Sequence, residues 1–173
     1  MSNKPVQHAY RQLLARYENH FEFAVTLTLK QSITIQNEHT GSMGTIIRLT
    51  DSTLNSTIVR FSTFLTRYLY GNAAKRKATQ DTAKPLLIIV REGVNNDKRE
   101  HLHIALGNVP NHKKADIEQL IKEAWSQCDF AHQQINVQPI HDATGWTHYI
   151  TKEIGHGNND ALDLVASTIP QIH

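Results

Sequence analysis

A single cysteine, Cys128, means that no internal disulfide holds this 173-residue chain together, and such usage suits a reducing cytoplasm. No apolar run approaches the roughly 20 residues needed to cross a bilayer. The opening residues, MSNKPVQHAYRQ, lack the apolar stretch of a secretory signal. The expectation is therefore a cytoplasmic protein with no membrane partner. Charge of one sign is scarcely in excess: a net charge of +2 is compatible with nucleic-acid binding and does not imply it. Internal repeats are absent. So is any His-x-Thr or His-x-Ser motif, which counts against a phosphoesterase built on a pair of them. With 39% hydrophobic and 20% charged residues, the composition is that of one globular domain, long enough to bury a real core.

Histidine, by contrast, is plentiful, at eleven residues. Two of them fall in the stretch EHLHIALG, residues 100–107, which alternates without a break. A side-chain period of two puts Leu102, Ile104 and Leu106 on one face of a strand and His101, His103, Ala105 and Gly107 on the other. Two imidazoles at i and i+2 are close enough to share a divalent ion. Ala105 and Gly107 leave the same face open to something bulky. In so His-rich a chain, one H-x-H pair needs support from elsewhere.

Along the chain, residues 4–20 read as an amphipathic helix with Val6, Tyr10, Leu13, Leu14 and Tyr17 at helical spacing. FAVTLTLK, residues 23–30, is a strand: Phe23, Val25, Leu27 and Leu29 face one way and Ala24, Thr26, Thr28 and Lys30 the other. Residues 31–50 are β-rich and irregular, a loop or an accessory hairpin. Asp51-Ser52 supplies an N-cap for a helix through Tyr70, with Leu54, Ile58, Phe61, Leu65, Tyr68 and Leu69 on its buried stripe and Gly71 as its stop. A polar linker, 72–84, follows and carries Lys75, Arg76 and Lys77, a solvated loop or a set of phosphate contacts. KPLLIIVREG, residues 84–93, is the most apolar run and predicts a central strand. The Asn95-Asn96-Asp97 turn returns it antiparallel into EHLHIALG. A helix over 115–128 buries Ile117, Leu120, Ile121, Ala124, Trp125 and Cys128, so the cysteine is a core residue. A strand over 132–140 points Ile135 and Val137 inward and Gln134, Asn136 and Gln138 outward; a last helix covers 143–154.

The predicted fold is α+β, with an N-terminal helix (1–22), a central body (23–155) and a polar tail with one short apolar turn at Leu162–Val165 (156–173), all in one domain. Apart from the first and last helices, the order is βαββαβ. That pattern is ferredoxin-like, an antiparallel sheet flanked by helices.

On the last helix, Tyr149 and Lys152 are three apart and share a face with Trp146 one turn earlier. A phenol, with a pKa near about 10, is a poor nucleophile at neutral pH unless a cation stabilises the phenolate. A divalent ion polarises a phosphodiester for in-line attack, and an ammonium stabilises the charge that develops. Two imidazoles alone hold an ion weakly. Glu92, at the end of the strand that hairpins against His101, is the preferred third ligand. Glu100 is nearer in sequence, but alternation sends it to the opposite face.

The series FAVTLTLK, HLHIAL and GWTHYITKE resembles the three motifs of the HUH endonuclease superfamily. It is most similar to the single-tyrosine rolling-circle replication initiators of plasmids and small phages or viruses. The resemblance covers roughly residues 23–154. Its His-hydrophobic-His motif is matched by His101-Leu102-His103, its Tyr-x-x-Lys motif by Tyr149 and Lys152, and its acidic ligand by Glu92. What it implies is the HUH endonuclease fold and a metal-dependent nickase and strand transferase. Tyr149 would attack single-stranded origin DNA, often presented as a stem-loop, form a 5′-phosphotyrosine link, and be released by the reverse reaction. Mg²⁺ or Mn²⁺ would be the ion. Thr26, Thr28, Lys30, Lys75, Arg76, Lys77 and Trp146 are the candidate DNA contacts. The position four residues after Tyr149 is Glu153, so only one tyrosine would act. No Walker-type P-loop is present, so unwinding would fall to a host helicase. Relaxases place the tyrosine before the histidines, but neither Tyr10 nor Tyr17 has a lysine three residues on. Small transposases of the superfamily, which place it after, remain an alternative, as does a non-catalytic nucleic-acid-binding module.

Overall fold

The computed structural model describes residues 3–36, 44–93, 99–155, 162 and 167–170. An N-terminal helix, α1 (Lys4–Ala15), leads through a short 3-10 turn into β1 (Phe21–Leu29). A separate hairpin, β2 (Ser32–Ile35) and β3 (Thr45–Arg48), precedes the long α2 (Asp51–Tyr70). Then come β4 (Leu86–Glu92), β5 (His101–Gly107), α3 (Ile117–Ser126), β6 (Ala131–Pro139), α4 (Ala143–Ile150) and the single-turn α5 (Lys152–Gly155). The main sheet is antiparallel in the order β4-β5-β1-β6. The fold is α+β. Among the described residues, no helix is long and apolar enough to cross a membrane.

Strand alternation sorts the side chains into two cores. On one face Val25, Leu27, Leu102, Ile104, Leu106, Leu87 and Ile89 meet the apolar stripes of α2 and α3, including Phe61 packed edge-on against Trp125. On the other, Phe21, Leu86, Ile88, Val90 and Ala105 meet Leu14 of α1, Ile150 of α4 and Ile154 of α5. This second layer covers only part of its face, and the uncovered part carries the site.

Cys128 lies in the first core, as the helical spacing predicts, and burial pushes its thiol up to about 11. The thiolate is the reactive form. A thiol reagent at pH 8 is therefore expected to label the folded chain at least about 100-fold more slowly than the urea-unfolded chain. Equal rates would show that Cys128 is not packed as described.

Four expectations need correction. The N-cap of α2 is Thr50, one residue before Asp51: Thr50 and Thr53 bond each other's backbone N–H groups in a capping box. The apolar β4 is an edge strand, not a central one. Its outer edge is covered instead by isolated pairings of Leu87 with Thr168 and of Val90 with Leu162, so part of the tail is built into the sheet. The rest of the predicted Leu162–Val165 turn, like the Asn95-Asn96-Asp97 turn, lies outside the described residues.

The space left by Ala105 and Gly107 is filled from within, by α1 and the turn after it. A Cβ added at Gly107 would stand 1.9 Å from the carbonyl oxygen of His20. Gly107→Ala must push backbone from backbone, and is expected to lower stability by about 3 kcal/mol in urea denaturation. A change under about 0.5 kcal/mol would refute that packing. Last, the predicted 143–154 helix is broken at Thr151 (φ −93°, ψ 2°), between Tyr149 and Lys152.

A candidate metal and nucleophile site

The uncovered part of the sheet is assembled by register. Glu92 stands opposite His101 on β5, and His101 opposite Thr28 on β1. The next row reads Val90, His103, Thr26 and, on β6, Asn136. Because β4 alternates, Glu92 follows Leu86, Ile88 and Val90 onto this face, while Arg91 turns to the other. There Arg91 donates from Nε to Glu100 Oε2 at 2.8 Å and from Nη1 to Asp51 Oδ1 at 2.5 Å. Glu100 is thus held on the far side, where alternation places it, and Glu92 is the carboxylate that meets the histidines. Gly93, at φ +99°, lets the chain leave β4 close against the backbone of Arg99 and Glu100.

Glu92 Oε2 lies 2.8 Å from His103 Nε2 and 3.8 Å from His101 Nε2. The ligand atoms of Glu92, His101 and His103 all fall within 4.8 Å of one another, an arrangement with the geometry to hold a metal ion. The outer nitrogens of both rings are occupied. His101 Nδ1 is 3.0 Å from the carbonyl oxygen of Arg99. A carbonyl only accepts, so Nδ1 carries a proton and Nε2 is the nitrogen that faces the cluster. His103 Nδ1 is 3.1 Å from the hydroxyl of Thr26, which can donate or accept. That freedom suits both states of the site. Nε2–H can donate to Glu92, and the tautomer that would bind an ion through Nε2 would carry its proton on Nδ1, where Thr26 can accept it. The residues fit a divalent ion, and two imidazoles with one carboxylate suit first-row transition ions well.

The charge states agree with this. Burial, and then repulsion from His101, push His103 down to about 4, so the ring is neutral at neutral pH. Burial works against a charged Glu92, but the hydrogen bond from Lys152 and the nearby His103 outweigh it and hold the carboxyl below its ordinary range. Burial likewise opposes a charged Lys152, and Glu92 more than compensates, raising it. A neutral imidazole and a carboxylate are the forms that bind a metal ion.

Tyr149 and Lys152 come to the same place. Lys152 Nζ lies 3.0 Å from Glu92 Oε1 and 4.1 Å from the centroid of the Tyr149 ring. Glu92 therefore offers one oxygen to the cluster and the other to Lys152. The Tyr149 hydroxyl is 3.4 Å from His103 Nε2, and its ring stacks on Trp146 at 5.2 Å between centroids. Tyr149 is 40% exposed, whereas His103 is only 5% exposed. The Tyr149 side chain is thus partly open to solvent, beside a cluster in which His103 is buried and Glu92 and His101 are partly exposed.

The break at Thr151 is held by α1, which the sequence marked only as a packing helix. Gln7 Nε2 donates to the Thr151 carbonyl at 2.9 Å, and Arg11 Nε donates to its hydroxyl at 3.0 Å. Their spacing of four residues on one helix face was the available signal. Of the candidate DNA contacts, Thr26, Thr28 and Trp146 lie at the site. Lys30 does not: it follows the end of β1 and lines a groove with Trp125 and Ser126 on the α3 side. Lys75, Arg76 and Lys77 follow the C-terminal end of α2, whose N-terminal end meets Arg91. A 20-residue helix separates them from that end by about 30 Å. Comparison of the chain with family models, curated proteins and solved structures returns no match.

Proposed function

We propose that this protein is a metal-dependent nicking and rejoining enzyme for single-stranded DNA, acting through a covalent link to Tyr149. The observation that carries the reading is the convergence on one carboxylate: Glu92 faces His101 and His103 with one oxygen and Lys152 with the other, and Lys152 lies against the ring of Tyr149. Three protein ligands leave room for substrate oxygens on an ion, and an exposed phenol beside them has the access that a polymeric substrate requires. Further support comes from the strand order, with α2 joining β1 to β4 and α3 joining β5 to β6. That order supports a ferredoxin-like reading, the arrangement the resemblance to the HUH endonuclease superfamily implies.

The Tyr149 oxygen attacks phosphorus, the bond from phosphorus to O3′ breaks, O3′ takes up a proton from solvent, and the released strand leaves with a free 3′-hydroxyl. Tyr149 retains the 5′-phosphate. The phenol proton passes to solvent, which reaches the half-exposed side chain, and the Lys152 ammonium stabilises the charge on the phenolate and the phosphate. Glu92, His101 and His103 would hold a Mg²⁺ or Mn²⁺ ion, which when bound would supply polarisation of the phosphodiester. Rejoining is the reverse: a 3′-hydroxyl attacks the phosphotyrosine and Tyr149 departs. The bond energy is conserved, so this step needs no nucleotide cofactor. Initiation of rolling-circle replication at an origin stem-loop, in the cytoplasm and with a host helicase, is the role that matches this chemistry.

The test is incubation with end-labelled single-stranded DNA, as a randomised pool and as the origin of the source replicon, with Mn²⁺ or EDTA, resolved on a denaturing gel. A metal-dependent adduct that survives detergent and disappears on protease digestion is expected. Binding without an adduct on the origin DNA would reduce the protein to a nucleic-acid-binding module.

A further inference from the structure

Beyond the histidines the same face of the sheet continues, and the nicking reading does not use it. The row that holds His103 and Thr26 runs on to Asn136, and the row behind it places Gln138 beside Ala24. Ala24 contributes only a methyl group, so a groove of about 520 Å³ lies between β6 and α4. Its sheet side is Thr26, Asn136 and Gln138, its helix side is Trp146 and Tyr149, and Ile140 also lines it. It opens directly onto Tyr149 and His103. The volume suits a nucleotide-sized ligand.

The chemistry of the sheet side is that of amides. Gln138 Nε2 donates to Asn136 Oδ1 at 3.1 Å. Among the described residues neither Asn136 Nδ2 nor Gln138 Oε1 has another partner, so the pair offers a donor beside an acceptor. Paired side-chain amides of this kind discriminate base edges, and aromatic walls stack on bases of any sequence. A phosphate is the weaker occupant: no lysine or arginine lines the groove, its basic side chains are the imidazoles of His103 and His141, and Asp142, whose carboxylate accepts from Gly145 N–H, lines it too.

From this we infer that the groove seats the nucleobase adjoining the scissile phosphate, and that Asn136 and Gln138 read its edge. The inference rests on the nicking reading and adds to it a residue-level source of sequence preference. Continuity supports it, since a strand whose phosphate reaches the Tyr149 oxygen must send its neighbouring nucleotide along the surface that Tyr149 borders.

The experiment uses the full chain, wild type and Asn136→Ala/Gln138→Ala, with Mn²⁺. The DNA pools are randomised one position at a time within three nucleotides of the cleavage site, and the adduct and the released strand are both sequenced. The wild type is expected to prefer one base at the adjoining position by about tenfold, and the double variant to flatten that preference to within about twofold while other positions keep theirs. Thermal melting of both proteins controls for folding. The inference is overturned if the wild type shows no preference there, if the double variant keeps it, if all four bases lose equally, or if the flattened position is not adjacent. A wild type that forms no adduct at all defeats the nicking reading, and this inference with it; an adduct with unchanged preference defeats the inference alone.

Discussion

Tyr149→Phe is expected to abolish the covalent protein–DNA adduct, a loss of at least about 10³-fold in its rate of formation, with the fold intact. The change deletes one oxygen and keeps the ring, so the stacking on Trp146 and the cation above the ring both survive. The deleted hydroxyl makes a long contact with His103, 3.4 Å, and interacts with Lys152, which Glu92 still anchors; the residue is half-exposed, so stability should shift by no more than about 0.5 kcal/mol. The same gel reads the adduct and urea denaturation reads the fold. A variant that still forms the adduct would move the nucleophile elsewhere, and the geometry offers no second phenol beside Glu92 and the two histidines among the described residues.

His101→Ala should weaken Mn²⁺ binding by about 100-fold, as loss of one of three protein ligands does. His101 is the cleanest ligand to remove. Its outer nitrogen bonds only the Arg99 carbonyl at the surface, whereas His103 is buried and Glu92 also anchors Lys152. Binding is measured through stability: Mn²⁺ at 100 times its dissociation constant should raise the wild-type unfolding free energy by about 2.7 kcal/mol, and EDTA should reverse it. In His101→Ala the same concentration should give only about 0.4 kcal/mol of that increase. Equal stabilisation of both proteins would show that the ion binds elsewhere.

Period-two alternation made the central pieces of this site legible. It put His101 and His103 on one face, and it separated Glu92 from Glu100 before any contact was known; the Arg91–Glu100 pair on the far face shows the same parity at work. The apolar stripes of α2 and α3 and the burial of Cys128 followed from helical spacing in the same way.

What escaped was set by contacts distant in sequence. An edge strand reads as a central one when a tail segment some 80 residues later covers its edge, as Thr168 does for Leu87. Ala105 and Gly107 signalled room for something bulky, but not that α1 would occupy it. The break at Thr151 depends on Gln7 and Arg11, and the basic run at Lys75–Lys77 is carried away from the site by the length of α2. Asn136 and Gln138 were read as outward-facing residues of a strand. Only the pairing of β6 with β1 brings them onto the histidine face.

The most direct test is chemical identification of the linked residue. After reaction with single-stranded DNA in Mn²⁺, the adduct is digested with nuclease and trypsin and the nucleotide-bearing peptide is sequenced by mass spectrometry. The account predicts a nucleotide joined through its 5′-phosphate to Tyr149, in the peptide that ends at Lys152. Attachment at Tyr10, Tyr17 or any other residue, or through a 3′-phosphate, would contradict it.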